Sequence, residues 1–331
     1  MKEIKIDVVG IGNAIVDVIG RCDDAFLAKH DAPKGHMRLV DVATMEALYK
    51  DMGPGIEISG GSAANTMVGI ASLGGRAAFI GKVADDQLGR IFAHDIRAAG
   101  VTFDTRPAGG GAPTARSLIL VTPDGERTMN TFLGVSPELS HGEIDAEVIA
   151  ASRIVYLEGY LFDRAEAKAA FFQAADIARR AGRQVALTLS DGFCVDRHRD
   201  AFLELIRGSV DILFANESEI TSLYQTASFD EAARRVKDDT RLAVLTRSEK
   251  GSLIINGSEE HRVPVKPVPK VVDTTGAGDL YSAGFLYGYA TGKPLAVAGA
   301  LGSLAAAEII GHVGARPEAD LAKLARKEGL L

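Results

Sequence analysis

The residues best suited to chemistry lie in one glycine-rich segment near the C-terminus. The chain reads Asp273-Thr274-Thr275-Gly276-Ala277-Gly278-Asp279, followed by an apolar helical run over 280–290. Such a turn presents consecutive backbone N–H groups, and the first N–H groups of a helix have no partner inside it. Together with the positive end of the helix dipole, these groups favour a bound phosphate. Asp279 in the first turn can accept the proton of a substrate hydroxyl, although a simple turn before a helix would read the same.

Hydrophobic patterns predict the elements that position this segment. Short apolar segments alternate with amphipathic helices, which is typical of a mostly parallel sheet covered by helices on both faces. Asp163 and Ser228 are predicted N-caps of helices over 164–181 and 229–237, and 295–310 is predicted to be a buried helix. The predicted strands are Ile4–Val9, Ala77–Ile80, Ile154–Leu157, Val185–Leu189, Ile212–Phe214 and Leu242–Leu245.

One region departs from this alternation. Residues 113–132 form two extended segments around a Pro123-Asp124-Gly125 turn, and this pattern predicts a β-hairpin. The hairpin is either an appendage at a sheet edge or part of a lid over a site, and the residues alone do not decide between the two. No segment has the composition of a linker, so one domain is expected over residues 1–331.

Composition and charge narrow the functional classes. The chain has 37 basic and 44 acidic residues, a net charge of −7, which gives no electrostatic reason to expect nucleic acid or an anionic membrane as partner. Its two cysteines, Cys22 and Cys194, lie outside any closely spaced Cys/His set, which argues against a disulfide framework or a zinc site. No stretch approaches the ~20 apolar residues needed to span a bilayer. The cysteine content favours a reducing cytoplasm, and a monomer or homodimer is expected.

Two motifs resemble the signatures of the PfkB (ribokinase-like) family of carbohydrate and nucleoside kinases. The segment 273–279 resembles the C-terminal signature. Gly60-Gly61-Ser62-Ala63-Ala64-Asn65, with the glycines and acids of 73–89, resembles the N-terminal one. The similarity covers essentially the whole chain. It implies a ribokinase-like fold with a small β lid built from segments near 14–40 and 110–133, so the hairpin would belong to that lid.

The resemblance also implies roles at the phosphate-donor end of a site. Asp279 matches the family's base, and Gly276, Ala277 and Gly278 match its anion hole. Asn216 and Glu219 resemble an Asn-x-x-Glu motif that organises Mg²⁺ through water, although alone they would be a solvated helix start. ATP is the implied donor, held by Asn216, Thr246, Gly251, Thr275 and Gly278, and the loop residues Asp273, Thr275 and Gly314 resemble a monovalent-cation site that would hold K⁺.

At the acceptor end, the resemblance implies that Asp17 accepts hydrogen bonds from substrate hydroxyls. Capping of a helix is the plainer explanation of Ser62 and Asn65. A rough match places His36, Arg38, Thr131 and Leu161 near Met129 and Tyr160. Such a pocket would be more polar than is usual for adenosine kinases and would favour another purine nucleoside or a sugar, unless Arg38 points to solvent. The acceptor residues implied by the family are Asp17, Gly60, Gly61, Asn65, Asn13, Met129 and Tyr160.

Four further segments bear on the acceptor. The segments 12–17, 34–41, 126–130 and 314–317 resemble the adenosine kinase branch, which implies transfer to a ribonucleoside primary hydroxyl, of adenosine or another purine nucleoside. A sugar kinase acting on ribose, fructose or 2-keto-3-deoxygluconate is the alternative. The Gly10–Ile15 turn lacks the third glycine of a dinucleotide-binding loop, and no Gly-x-x-x-x-Gly-Lys-Ser/Thr loop occurs. A non-catalytic binding protein on the same scaffold is a further class.

Overall fold

The computed structural model describes residues 3–331 as two sheets and twelve α-helices. The helices are α1 (Asp24–Lys29), α2 (Val42–Asp51), α3 (Ser62–Ser72), α4 (Gln87–Ala98), α5 (Ala146–Ala151), α6 (Ala165–Arg180), α7 (Gly192–Ser209), α8 (Glu217–Leu223), α9 (Phe229–Asp239), α10 (Ala277–Ala290), α11 (Leu295–Ile309) and α12 (Leu321–Lys327). The strands are β1 (Ile6–Ile11), β2 (Ile15–Arg21), β3 (Met37–Leu39), β4 (Gly55–Gly60), β5 (Ala77–Ile80), β6 (Val101–Thr102), β7 (Ala115–Val121), β8 (Arg127–Phe132), β9 (Ser152–Glu158), β10 (Gln184–Thr188), β11 (Ile212–Asn216), β12 (Leu242–Thr246), β13 (Ser252–Asn256) and β14 (Glu259–Val263).

The larger sheet has nine strands in the order β14-β13-β12-β11-β10-β9-β1-β5-β6. Strands β12 through β6 in this order are parallel, and β13 and β14 are antiparallel. Its central strands are buried on both faces, which explains their continuous apolar runs. Successive side chains point to opposite faces: Val8 of β1 joins one core cluster and Val9 the other. This is the predicted mainly parallel sheet.

Helices cover both faces of this sheet. Helices α3, α4, α10, α11 and α12 contribute to the core on one face, and α5 to α9 contribute to the core on the other. The chain therefore has the predicted α/β architecture of the ribokinase-like type. Within residues 3–331, every helix is too short or too polar to cross a lipid bilayer.

The smaller sheet has the strand order β3-β8-β7-β2-β4, and we call it the lid. Strands β7 and β8 form the predicted antiparallel hairpin, whose turn includes a hydrogen bond from the Gly125 amide to the Thr122 carbonyl (2.9 Å). Strand β2 pairs in parallel with β7 and antiparallel with β4. Strand β4 lies outside the two segments predicted for the lid, so the lid draws on a third part of the chain.

The predicted elements agree with the structure except at one cap. Each predicted strand overlaps an observed one, and Ser228 caps α9 by accepting the Glu231 amide. Asp163 is the predicted cap of α6, but the N-cap is Arg164 and it makes no side-chain capping bond. Asp163 instead pairs with Arg197 (2.9 Å) on α7. The cap prediction is therefore wrong, because an ion pair between distant segments takes the carboxylate.

Glycines allow α10 and α11 to pack with their backbones nearly in contact. A Cβ atom added to Gly284 of α10 would lie 2.3 Å from the Leu301 carbonyl oxygen of α11, and one added to Gly302 of α11 would lie 2.7 Å from the Tyr281 carbonyl oxygen. Backbone cannot yield at such distances without shifting a whole helix. The position of α10, whose first turn carries Asp279, is thus set by this close contact.

We expect Gly284→Ala to lower the free energy of unfolding by about 1–3 kcal/mol, because the new methyl group overpacks the contact between α10 and α11. Urea denaturation followed by circular dichroism measures the change. Gly208→Ala is the matched control, since Gly208 lies in α7 and an added methyl group there would meet open space. Equal stability of the two variants would contradict this account of the packing.

Candidate active site

A cleft of about 900 Å³ lies between the lid and the carboxyl ends of the large sheet. Its floor includes the last residues of four neighbouring parallel strands: Glu158 of β9, Thr188 of β10, Asn216 of β11 and Thr246 of β12. Ligands of open α/β sheets bind outside the carboxyl ends of the strands. The cleft is therefore where the fold is expected to place a site.

Asp279 lies half-buried on this floor, in the first turn of α10. One carboxylate oxygen accepts a hydrogen bond from Ser62 Oγ (2.6 Å), and the other accepts one from Asn65 Nδ2 (3.0 Å). Burial raises the pKa of Asp279, while the hydrogen bonds from Ser62 and Asn65 oppose this rise. The carboxylate is thus held in one orientation and is more basic than an exposed aspartate.

The glycine turn in front of Asp279 presents free amides. Gly276 adopts a φ of +77°, and a Cβ there would lie 2.9 Å from the Ala315 methyl group, so only glycine fits. Within residues 3–331, the amides of Gly276, Gly278 and Asp279 have no hydrogen-bond partner. The Ala277 amide, in contrast, donates to the Thr274 carbonyl (3.1 Å). The Ala277 amide therefore closes the turn in this structure, and its predicted part in an anion hole stays a prediction.

The loop before the turn is organised around Asp273. Its carboxylate accepts hydrogen bonds from the Thr275 amide (3.1 Å), from Thr275 Oγ1 (2.8 Å) and from the Gly314 amide (3.1 Å). Arg127, the first residue of the lid strand β8, forms an ion pair with the same carboxylate and donates to Thr275 Oγ1 (3.1 Å). The structure therefore brings together the three residues predicted for K⁺, with a guanidinium group among them.

Asp17 enters the cleft from the lid strand β2. Burial raises its pKa to about 7, although Arg316 and Arg127 act in the opposite direction. Gly60 leaves room for this side chain, since a Cβ there would lie 2.4 Å from Asp17 Oδ2. Gly61 has a φ of +102°, and a Cβ would meet the Asn13 carbonyl oxygen at 2.1 Å. Asp17, Asn13, Gly61 and Asn65 line the cleft, whereas Gly60 does not. Their contacts with an acceptor stay a prediction.

Arg316 connects the C-terminal loop to the lid and to α3. Its guanidinium donates to the Ser59 carbonyl (2.7 Å) and to the Ala64 carbonyl (2.9 Å). Burial lowers its pKa to about 10, with Asp95, Asp17 and Asp279 acting in the opposite direction. The predicted loop 314–317 therefore supplies a half-buried positive charge, which was not assigned from the sequence.

Glu158 is a buried carboxylate that the sequence analysis missed. It accepts hydrogen bonds from Asn13 Nδ2 (2.7 Å) and from the Ala63 amide (2.8 Å), and burial raises its pKa to about 7. The Asn13 side chain is also engaged by Ser136 Oγ (2.9 Å). Glu158 directly follows the predicted strand 154–157. Its position at the carboxyl end of a parallel strand could have identified it as a site residue from the sequence. Its bonds join the turn after β1 to the start of α3.

At the other end of the cleft, Asn216 and Glu219 form a reciprocal cap of α8. Asn216 Nδ2 donates to Glu219 (2.6 Å), and the Glu219 amide donates to Asn216 Oδ1 (2.8 Å). Burial raises the pKa of Glu219 to about 7. Carboxylate oxygens that accept two protein hydrogen bonds keep lone pairs for water, so the pair fits Mg²⁺ held through water. Residues 3–331 contain no group of three or more Asp, Glu, His or Cys side chains placed to bind a metal ion directly.

Two predicted nucleotide residues have different surroundings. Thr246 ends β12 and lines the cleft. Gly251 lies outside the cleft lining, in the turn between β12 and β13, with a φ of +82° and a Cβ position 2.2 Å from the Val263 carbonyl oxygen. The strained turn explains the glycine there without a ligand contact.

The acceptor end of the cleft is more apolar than the sequence analysis predicts. Met129, Thr131 and Tyr160 line it as expected. Arg38 instead points to the end of α1, where it donates to the Asp31 carbonyl (2.7 Å), and Leu161 is buried in the core. His36 folds back on the Lys34 carbonyl (2.8 Å). His36 and Arg38 therefore do not contribute polar groups to the cleft, which agrees with the alternative that Arg38 points away from it. The exposed side chains Met37, Leu39 and Phe193 line the cleft instead.

We expect the stability that Glu158 contributes to fall as pH rises from about 4.5 to 7. Its pKa is about 7 in the folded chain against 4.5 for a free side chain, so the folded state binds more protons in that window. Each pKa unit corresponds to about 1.4 kcal/mol. The stability of wild type relative to Glu158→Gln should thus decrease between pH 5 and pH 8, as measured by urea denaturation. Exposed Glu204→Gln is the control, and a pH-independent difference for Glu158→Gln would contradict the prediction.

Comparison with known proteins agrees with this site. The family model described as pfkB family carbohydrate kinase matches residues 57–321. The structure of adenosine kinase from Sinorhizobium meliloti is 54% identical and covers 98% of this chain and 99% of its own, with a TM-score of 0.90. A probable sugar kinase from Rhizobium etli CFN 42 is 50% identical, covers 99% of this chain and 100% of its own, and has a TM-score of 0.92.

A more distant relative is a protein of Archaeoglobus fulgidus named as an uncharacterized sugar kinase. It is 31% identical over 255 residues, which are 75% of this chain and 97% of that protein. The family match spans both glycine motifs and Asp279. The chain belongs to the PfkB family of carbohydrate kinases and is a phosphotransferase with an alcohol group as acceptor.

Proposed function

We propose that this kinase transfers the γ-phosphoryl group of ATP to the primary 5′-hydroxyl of a purine ribonucleoside, with adenosine as the first candidate. The observation that carries the proposal is the composition of the cleft. One part of it holds the free amides of the glycine turn and the Asp279 carboxylate, and another part is lined by apolar and aromatic side chains. The relative from S. meliloti, named an adenosine kinase, supports the choice of acceptor.

Asp279 is the proposed base. The 5′-oxygen attacks the γ-phosphorus, its proton passes to the Asp279 carboxylate, and the bond to the β–γ bridging oxygen breaks to release ADP. The raised pKa of Asp279 favours proton acceptance over that of an ordinary aspartate. Ser62 and Asn65 hold the carboxylate in the direction of the reacting hydroxyl.

The amides of Gly276, Gly278 and Asp279 are the proposed anion hole. They lie at the positive end of α10, so they stabilise charge on the transferring group. Thr246 and Thr275 line the cleft beside them as nucleotide contacts. Asn216 and Glu219 would hold Mg²⁺ through water, where the ion would neutralise phosphate charge. Lid closure over the acceptor excludes water, which would otherwise compete for the phosphoryl group.

The apolar end of the cleft favours a nucleoside over a free sugar. Met37, Leu39 and Phe193 are 55%, 60% and 76% exposed, and all three face the cleft with Met129 and Tyr160. A purine base would cover these side chains, whereas a free sugar would bring only hydroxyl groups to them. Asp17 in the lid then accepts hydrogen bonds from the ribose hydroxyls, which selects against acceptors that lack them.

We expect Asp279→Asn to lower kcat by about 100- to 10,000-fold, because an amide cannot accept the hydroxyl proton. ADP release measured with adenosine as acceptor gives the rate, and the Kd for ATP should remain nearly unchanged. Exposed Asp200→Asn on α7 is the control and should behave as wild type. Retention of near-normal turnover by Asp279→Asn would remove Asp279 as the base.

A panel of acceptors tests the nucleoside assignment. We expect kcat/KM to be highest for adenosine or another purine nucleoside, and Tyr160→Ala to reduce it through KM because a base contact is lost. Ribose, fructose and 2-keto-3-deoxygluconate are the comparison acceptors. Robust turnover of a free sugar without nucleoside activity would instead establish the sugar kinase alternative, which the A. fulgidus and R. etli relatives represent by name.

A further inference from the structure

We propose that the Arg127 guanidinium takes the place of a monovalent cation beside the anion hole, so that this chain needs no K⁺. The inference builds on the proposed function, because the loop concerned precedes the turn that would hold the phosphate. It rests on the contacts of three segments that are distant in sequence: the lid strand β8, the loop at 273–275 and the loop at 314–316.

The residues predicted to bind K⁺ do not fit a bound ion. Both oxygens of Asp273 already accept two hydrogen bonds each. One accepts from the amide and hydroxyl of Thr275, and the other from the Gly314 amide and Arg127 Nη1. Thr275 Oγ1 also accepts from Arg127 (3.1 Å). A metal ion must replace its lost water with oxygen ligands, and here donors surround those oxygens.

The charge of the loop is also already balanced. The side chains of Arg127 and Asp273 are only 7% and 6% exposed, so their ion pair is little screened by solvent. A second cation beside the guanidinium would meet repulsion from a charge that cannot be deprotonated. Arg127 therefore supplies the single positive charge that this carboxylate requires.

Arg127 belongs to a different part of the fold from the residues that it contacts. It is the first residue of β8, and therefore belongs to the lid, whereas Asp273 and Thr275 lie just before α10. Nε and Nη2 of Arg127 are buried without a partner within residues 3–331. A movement of the lid would therefore carry the guanidinium with it, and in the present position its bond to Thr275 Oγ1 orders that side chain next to the anion hole. Arg127 is in this sense a positioning residue.

Thermal unfolding without ATP or acceptor tests the inference independently of the proposed function. We compare KCl with tetramethylammonium chloride at equal ionic strength for wild type, Arg127→Ala and Arg127→Lys. Wild type and Arg127→Lys should show no K⁺-specific rise in Tm. Arg127→Ala should gain one, because the emptied site binds K⁺ in the native state only. Arg116→Ala is the control, since Arg116 is another lid arginine in an ion pair, with Glu46.

Turnover gives a second readout. Wild-type kcat/KM should be the same in both salts, and the low activity of Arg127→Ala should rise by about tenfold or more with K⁺. A K⁺-specific rise in the Tm or activity of wild type would overturn the inference. A folded Arg127→Ala variant that responds equally to both salts would overturn it as well, and would leave Arg127 a direct ligand of phosphate. If Arg127→Ala does not fold, the test is the response of wild type and Arg127→Lys to K⁺: a K⁺-specific rise in Tm or activity in either would overturn the inference.

Discussion

The hydrogen bonds from α3 to Asp279 fix the carboxylate on which the rest of the cleft depends. Ser62 and Asn65 can make these bonds only if the first turn of α3 stays at its present distance from the first turn of α10. Glu158 holds that turn through the Ala63 amide, and Arg316 holds it through the Ala64 carbonyl. Two ionised or ionisable groups thus position one helix end, which in turn orients the proposed base, Asp279.

The cleft concentrates carboxylates whose burial opposes ionisation. Asp17, Glu158 and Glu219 each have a pKa of about 7, and that of Asp279 is raised as well. Without compensation, such a cluster would repel a polyanionic donor. The positive contributions come from Arg316, from Arg127 and from the start of α10. These positive groups are what the proposed phosphate site of an acidic chain requires.

The sequence allowed prediction of those features that depend on local patterns. The apolar runs locate the parallel strands, and the glycine motifs locate the turn before α10, because both patterns reflect backbone geometry over a few residues. The contacts of Glu158, Arg127 and Arg316 could not be predicted, since each joins segments whose proximity depends on strand order. Asp163 is a second example: its sequence position predicts a helix cap, but its carboxylate forms an ion pair with Arg197 of another helix. Strand β4 escaped prediction, since Ile56 faces solvent there.

The edge strands of the large sheet have a consequence for the behaviour of the chain in concentrated solution. At one edge, β14 reads Glu-Glu-His-Arg-Val, and both glutamates and the arginine are exposed. At the other edge, β6 has only two residues. Adding a strand from another copy at β14 would force charged side chains against a neighbouring backbone, and β6 offers too little length to pair. Growth of this sheet into aggregates is therefore disfavoured at both of its ends.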